Sequence, residues 1–206
     1  MAGDDLATLT TRLRTLAEAG PRRLAAIAGP PGAGKSTLAE ALHAALEESH
    51  PGQSAILPMD GFHLDDGLLA ARGDLARKGA PHTFDLDGFR ITLERLARDD
   101  APVIVPVFDR ALEISRGGAR MIGPERRLLI VEGNYLLLDL PGWADLRETF
   151  DLTVFLDVPY EVLRARLAER WASLPPDVAM AKLEANDLPN ARLVLERSGP
   201  ADIRLR

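Results

Sequence analysis

The stretch GPPGAGKS, Gly29 to Ser36, constrains this chain more than any other feature of its 206 residues. It has the pattern G-x-x-x-x-G-K-S and follows the short apolar run RRLAAIAG. It opens the segment KSTLAEALHAALEESH, in which Leu38, Leu42 and Leu46 recur at helical spacing. This strand–loop–helix context predicts a loop that binds the phosphates of a nucleotide. The alternative is a glycine-rich strand–helix turn without a ligand; composition alone should produce such a match in on the order of one chain in a hundred, and the strand–helix context lowers that frequency further.

Each residue type in this loop suits a phosphate. Gly29, Gly32 and Gly34 allow the backbone to curve closely around it with N–H groups pointing inward. The N-terminus of the following helix adds partial positive charge. Lys35 is expected to reach the β- and γ-phosphates, and the Ser36 hydroxyl is expected to bind Mg²⁺. The predicted nucleotide-binding residues of the loop are Gly29, Pro30, Pro31, Gly32, Ala33, Gly34, Lys35, Ser36 and Thr37, the last in the first helical turn.

The order of apolar and amphipathic segments predicts the fold class. Apolar runs without alternation, separated by helices, are typical of a parallel sheet covered on both faces. The runs that indicate strands are RRLAAIAG, SAILPMD, PVIVPVFD, RRLLIVEGNYLLL, FDLTVFLDV and, at an edge, ADIRLR. We expect one α/β domain over residues 1–206 with three layers (α/β/α), a mainly parallel five-stranded sheet, an N-terminal helix over 4–19 and a small helical lid over about 164–190.

Composition narrows the classes of partner. The formal charge is 25 − 31 = −6, so the chain has no basic footprint for nucleic acid or for an anionic membrane. It contains no cysteine, its N-terminus has no apolar core of a signal peptide, and no apolar run reaches the roughly 20 residues that span a bilayer. We expect a cytoplasmic protein with a small-molecule partner. The apolar face of the N-terminal helix is expected to pack on its own sheet or on a second subunit, so a homodimer is an open alternative.

Two carboxylates follow further apolar strands. In an open α/β sheet, ligands bind outside the carboxyl ends of the strands, so Asp60 in ILPMDGFHLDDG and Glu132 in LLIVEGNY should lie on the same rim as the phosphate loop. Phosphoryl transfer to a hydroxyl needs a carboxylate that takes the hydroxyl proton, and Asp60 is placed for that role. Glu132 is predicted to bind Mg²⁺ together with Ser36, directly or through water. A carboxylate that caps the end of its strand is the alternative for Glu132.

With these residues placed, the chain resembles the P-loop kinases of the phosphoribulokinase, uridine kinase and pantothenate kinase superfamily. The matching pieces are GPPGAGKST, MDGFHLDDGLL, RKGAPHTFDLDGF, PVFDR, VEGNYLLL and FLDVPYEVLRARLAER, in family order over roughly Arg23 to Arg170. MDGFHLDD and RKGAPHTFD are most similar to pantothenate kinase and to bacterial fructose-transport-system kinases and nucleoside/nucleotide kinase family proteins. The resemblance implies an ATP- and Mg²⁺-dependent transfer to a small hydroxyl compound.

The resemblance also implies roles for individual residues. Asp60 is the expected base, and Lys35 with the lid arginines Arg166 and Arg170 is expected to neutralise the moving phosphoryl group. Phe84, Asp85, Asp109 and Arg110 are expected to line the acceptor pocket, and Asn186 and Asn190 to lie near the nucleotide base.

The roles of several residues and the identity of the acceptor have more than one interpretation. His63 is expected to donate a hydrogen bond to the acceptor, to orient Asp60 or to lie on a partly exposed loop. His82 lies in a loop and is expected either to touch the acceptor or to have no contact with it. Lys78 could face the acceptor or serve the structure, while Asp65 and Asp66 are expected to cap a helix. A sugar such as fructose ranks first as acceptor, and pantothenate or a nucleoside next. A nucleotide-dependent switch that needs no acceptor is the alternative of another class.

Overall fold

Seven helices and seven strands make up the part of the chain that the computed structural model describes, residues 3–206, with side chains described from residue 6. The first two residues of the expected domain lie outside that range. The helices are α1 Gly3–Glu18, α2 Lys35–Ser49, α3 Asp66–Arg72, α4 Leu86–Arg98, α5 Tyr160–Arg170, α6 Pro176–Lys182 and α7 Leu188–Arg197. The strands are β1 Arg23–Ala28, β2 Ser54–Pro58, β3 Val103–Asp109, β4 Ile114–Ile122, β5 Leu128–Gly133, β6 Leu152–Leu156 and β7 Ile203–Leu205.

The main sheet has five strands in the order β2-β5-β1-β6-β7, and every pair in it is parallel. The predicted α/β class and the five-stranded sheet are therefore confirmed. The parallel pairing brings the carboxyl ends of β1, β2 and β5 to one rim of the sheet, where the segments that follow these strands begin.

The central strands bury both faces, as their uninterrupted apolar runs require. Successive side chains point to opposite faces, so Leu24 and Ala26 of β1 belong to one core while Ala25 and Ile27 belong to the other. The first core lies under α4 and Trp143. The second lies under helices α1, α2 and α5. This arrangement gives the three layers that the sequence predicts.

The N-terminal helix was predicted over residues 4–19, and α1 occupies almost the same range. Leu9 and Leu13 are buried in the second core beside Leu42 and Ile130. The apolar face of α1 therefore packs on the chain's own sheet rather than on a second subunit. Within residues 3–206, none of the helices combines the length and the apolar character needed to cross a bilayer.

One predicted strand lies outside the main sheet. PVIVPVFD forms β3, which pairs antiparallel with β4 in a separate two-stranded hairpin. The register shifts between Val105 and Val107, because Pro106 has no N–H for the ladder and is accommodated at an irregularity. Strand β4 has no signal in the sequence, because its RGGAR segment lacks the apolar run expected of a strand.

Two other predicted elements are shorter than the pattern suggested. The apolar run RRLLIVEGNYLLL leaves the sheet at Gly133, and Tyr135 and Leu136 are buried in the turn that follows. The helix predicted over PDVAMAKLEAN is α6 followed by a π-helical turn, Leu183–Asp187, which leads into α7. Such π-helical turns occur often at functional sites.

Candidate active site

A cavity of about 180 Å³ lies at the rim where β1, β2 and β5 end. Its floor includes Lys35 and Ser36 of the glycine-rich loop, and Asp60 and Glu132 also line it. The wall opposite the loop comes from the turn of the β3–β4 hairpin, and the roof comes from the residues that connect α5 to α7. The structure thus brings together the four residues that the sequence assigns to phosphates, metal and base.

The glycine-rich loop has the backbone that the sequence predicts. Gly32 and Gly34 lie at φ 80° and 94°, in the left-handed region that favours glycine. A Cβ added at Gly32 would meet the Leu167 side chain at 3.2 Å, so α5 packs closely against the loop. Helix α2 begins at Lys35, so its unpaired N–H groups lie at the loop.

Lys35 is held in a largely buried position beside the loop. Its Nζ donates hydrogen bonds to the Pro30 carbonyl oxygen at 3.0 Å and to Asn134 Oδ1 at 2.6 Å. Burial lowers the pKa of Lys35 to about 8, although Glu132 and Asp60 act in the opposite direction. An anionic partner would therefore favour the charged ammonium and raise the pKa of Lys35 again.

Glu132 and Ser36 form a carboxylate–hydroxyl pair. The Ser36 hydroxyl donates to Glu132 Oε1 at 3.2 Å, and only 7% of Glu132 is exposed. Burial raises the pKa of Glu132, so a cation at this carboxylate would relieve an unfavourable desolvation. Across residues 3–206 no group of three or more acidic or histidine side chains is arranged to hold a metal. The pair fits Mg²⁺, which usually takes one or two protein ligands and keeps several waters.

Asp60 lies in a tight 3₁₀ turn, Met59–Phe62, directly after β2. Close backbone approaches fix this turn. A Cβ added at Gly61 would lie 2.6 Å from the Pro106 carbonyl oxygen, and one at Gly133 would lie 2.6 Å from Met59 Cβ. The Asp60 carboxylate is 22% exposed and accepts a short hydrogen bond from Arg110 Nη2. The glycines therefore set the position of the predicted base through packing.

His63 lies in the same cavity, and its hydrogen bond fixes its protonation. Its Nδ1 is 2.8 Å from the Asp60 backbone carbonyl, which only accepts, so Nδ1 carries the hydrogen. Burial lowers the pKa of His63, so the ring is neutral near pH 7 and Nε2 is an acceptor. The expected donor role of His63 is revised for this reason: Nε2 can accept a hydrogen bond from a hydroxyl group.

The other residues predicted to bind the acceptor do not all line the cavity; several stabilise the elements around it. Phe84 is buried with its ring centroid 4.1 Å from that of His63, so it supports the histidine from behind. Asp85 accepts from the Gly88 backbone N–H at 2.9 Å and caps α4. Asp109 accepts from the backbone N–H groups of Ala111 and Leu112 and shapes the hairpin turn. His82 is half exposed and lies 3.6 Å from Asp74, away from the cavity.

The lid residues also separate into two groups. Arg170 lines the cavity close enough to Lys35 to lower its pKa. Arg166 donates to the Gly32 carbonyl oxygen at 3.2 Å and lines a second, more apolar cavity of about 590 Å³ on the other side of the loop.

The two asparagines predicted near the nucleotide base are hydrogen-bonded to each other and to the 77–79 segment. Asn186 donates to the Lys78 carbonyl oxygen at 2.7 Å, and Asn190 donates to Asn186 Oδ1 at 3.1 Å. Both asparagines therefore lie beside the first cavity and tie α7 to the 77–79 segment.

Three wall or floor residues were not assigned from the sequence. Asn134 accepts a hydrogen bond from Lys35. The sequence feature that could have identified it is its position, a polar side chain two residues after Glu132 at the end of the same strand. Phe108 lies in the hairpin with its ring centroid 4.8 Å from that of His63. Glu113 adopts a left-handed backbone with φ 55° and directs its carbonyl oxygen to Lys78 Nζ. Neither periodicity nor spacing in the sequence predicts Phe108 or Glu113 at the site, because only the folding of the hairpin brings them to the rim.

The two predicted helix caps differ in what they bind. Asp65 accepts a hydrogen bond from the Gly67 N–H and caps α3, while Asp66 pairs with Lys78.

Comparison with known proteins places this arrangement in a family. No family model matches the chain. The crystal structure of a provisionally named fructose transport system kinase from Silicibacter sp. TM1040 is 47% identical, with a TM-score of 0.90 over 98% of both chains. A provisionally named uridine kinase, C227.14 of Schizosaccharomyces pombe, is 37% identical over 199 residues, 90% of this chain and 83% of that protein. The pantothenate kinase of Streptomyces coelicolor is 32% identical over 153 residues, 70% of this chain and 45% of that protein.

The parallel sheet, the phosphate loop and the two rim carboxylates, together with the kinases among its relatives, define the class as a P-loop kinase. Within that class, the chain belongs to the small-molecule kinases of the phosphoribulokinase, uridine kinase and pantothenate kinase superfamily.

Proposed function

We propose that this kinase transfers the γ-phosphate of ATP, bound with Mg²⁺, to a hydroxyl group of a small metabolite, with a sugar such as fructose ranked first. The observation that carries the proposal is the position of Asp60. Its carboxylate faces the same small cavity as Lys35 and Glu132, and beyond it the cavity wall has the polar and aromatic side chains that a small acceptor needs.

The nucleotide lies across the glycine-rich loop. Lys35 and Ser36 open into the first cavity, where the β- and γ-phosphates bind, whereas Gly34 and Thr37 line the second cavity. The second cavity has an apolar wall that includes Val158 and Val162, which suits the base of ATP. This assignment moves the base away from Asn186 and Asn190, the residues that the sequence placed near it.

The transfer step uses the groups around Asp60. The acceptor hydroxyl donates its hydrogen to the Asp60 carboxylate while its oxygen attacks the γ-phosphorus in line with the departing ADP oxygen. Lys35 and Arg170 donate to the phosphoryl oxygens, where negative charge must be stabilised. Ser36 and Glu132 would hold Mg²⁺, which would supply further positive charge to stabilise the phosphates. Closure of the lid, residues 164–190, excludes water so that the acceptor rather than water is phosphorylated.

Relatives support different acceptors. The similarity to the fructose transport system kinase favours a sugar, and the similarities to the pantothenate and uridine kinases keep pantothenate and nucleosides as the next candidates. The switch alternative needs no acceptor wall. The ordered packing of His63 against Phe84 and Phe108 beside Asp60 therefore favours a kinase with a bound acceptor.

The proposal is tested by ADP release from ATP·Mg²⁺ with fructose and other sugars, glycerate, pantothenate, uridine and cytidine. We expect at least one acceptor to raise the rate well above the background hydrolysis. Bound acceptor should also raise the melting temperature of the ADP-bound protein. A rate that no compound changes, together with no shift in melting temperature, would favour the switch.

ATP binding is expected to take up a proton above pH 8. In the ligand-free protein Lys35 has a pKa of about 8, so it loses its charge above that pH. The triphosphate favours the charged ammonium and raises the pKa again. Calorimetry in two buffers of different ionisation enthalpy should show uptake near pH 8.5 but not near pH 6.5, and affinity should fall as the pH rises above 8. Equal uptake in Lys35→Met would refute the assignment to this lysine.

A further inference from the structure

We propose that the phosphate acceptor is an anion: it carries a carboxylate or a phosphate ester near the hydroxyl that is phosphorylated, and Arg110 binds that group. The inference rests on the proposed kinase function and specifies the substrate class of the same site: because fructose itself is neutral, it moves the preferred acceptor from a free sugar to a sugar phosphate or a hydroxy acid. Its starting point is the hairpin wall, where two cations, Arg110 and Lys78, lie over one aromatic ring, that of Phe108.

The Phe108 ring fixes where these cations can lie. The Arg110 guanidinium carbon is 5.4 Å from the ring centroid, and Lys78 Nζ is 5.5 Å from it. The ring itself packs against His63, which is bonded to the backbone of Asp60. Cation–π attraction therefore keeps positive charge beside Phe108 and His63, and Arg110 is also close enough to Lys35 to act on its pKa.

Arg110 is the cation available to a ligand. Its side chain is 65% exposed, and Asp60 is the one acidic partner recorded for it among the described residues. Ion pairs with a largely exposed member are weak and exchange readily. Lys78 is less available, because it is bonded to Asp66 and to the Glu113 carbonyl oxygen.

The ion pair of Arg110 with Asp60 hinders the proposed phosphoryl transfer unless an anionic group of the acceptor replaces Asp60 as the partner of Arg110. While Arg110 Nη2 donates to Asp60 Oδ2, that oxygen is occupied and is less available to the hydroxyl hydrogen of an acceptor. An acceptor with its own anion takes over the guanidinium and frees Asp60 for the hydroxyl. A neutral acceptor leaves Arg110 in competition for the base.

The remaining group at this end recognises a hydroxyl. His63 Nε2 is an acceptor of hydrogen bonds, and no partner for it is recorded among residues 6–206. The wall thus offers Asp60 to one hydroxyl, His63 to a second, and Arg110 to an anion. A hydroxy acid or a sugar phosphate has all three features.

Matched pairs of compounds that differ in charge test the inference. We would compare fructose 6-phosphate with fructose, D-glycerate with glycerol, and pantothenate with pantothenol, by ADP release and by the melting temperature of the ADP-bound protein. In at least one pair the anion should have a kcat/KM about 10- to 100-fold above its neutral partner, the range for hydrogen bonds to charged groups. The carboxylates and the phosphate ester then distinguish the two kinds of anion.

Arg110→Gln should remove this preference. We expect the KM of the anionic compound to rise by about 10- to 100-fold, with the neutral compound unchanged or improved because Asp60 is released. The control is Arg90→Gln, the same change on the exposed face of α4, where Arg90 pairs with Glu94. It should keep the native preference.

Three results would overturn the inference. One is a neutral partner that serves as well as its anion in every pair that reacts. Another is an Arg110→Gln protein that is slowed equally with both members, which would assign Arg110 to the transferred phosphoryl group. The third result concerns the case in which no compound is phosphorylated. The rates then contradict the kinase proposal. The anion inference is contradicted as well if the anions raise the melting temperature no more than their neutral partners do.

Discussion

Asp60→Asn is expected to lower the rate of phosphoryl transfer by about 10²- to 10⁴-fold, the range for a positioned general base. The amide has nearly the same shape as the carboxylate but cannot take the hydroxyl hydrogen. ATP affinity should stay close to the native value, because Lys35, Ser36 and the loop backbone are unchanged. The measurement is ADP release at saturating acceptor, with nucleotide affinity measured separately by calorimetry.

The matched control for this substitution is Asp87→Asn, the same chemical change on the exposed surface of α4, where the Asp87 side chain is 86% exposed. It should be as active as the native protein. An Asp60→Asn protein with full turnover would remove Asp60 from the chemistry. A protein that had lost nucleotide binding as well would instead indicate a distorted rim.

Lys35→Met should slow transfer by about 10²- to 10³-fold without lowering the stability of the ligand-free protein. Loss of the ammonium removes a donor to the phosphoryl oxygens, which costs about 10²- to 10³-fold in rate for one such group. The pKa of about 8 shows that the folded protein disfavours the charged lysine. The apolar methionine removes that penalty, while the donor lost by Pro30 and Asn134 and the opposite charge lost by Glu132 offset part of the gain.

The pH dependence of unfolding provides an internal check. Below pH 8 the lysine is charged in both states, and the cost of burying its charge is present in full. Between pH 8 and 10.5 the folded state has released the proton while the unfolded state keeps it. The free energy of unfolding of the native protein should therefore rise with pH in that window relative to Lys35→Met. Unchanged ATP binding by Lys35→Met, or parallel stability curves, would contradict the role of this buried ammonium.

Local sequence patterns predict much of the fold. The strand–glycine loop–helix order around Lys35 and the uninterrupted apolar strands β1, β5 and β6 predict a doubly covered parallel sheet, which the structure confirms. The β3–β4 hairpin was not predictable in the same way. Its second strand is exposed and glycine-containing, so burial, the property that produces an apolar run, is absent there.

The sequence by itself determined the phosphate loop and placed Asp60 and Glu132 on the same rim, because strand ends in a parallel sheet share one edge. It did not determine which groups form the acceptor wall. The pair of Arg110 with Asp60 and the contacts of the Phe108 ring with Lys78 and His63 join residues that are 30 to 50 positions apart in the chain. The packing of the hairpin against the Asp60 turn decides such contacts, since periodicity encodes which face of an element is buried but not which distant element covers it.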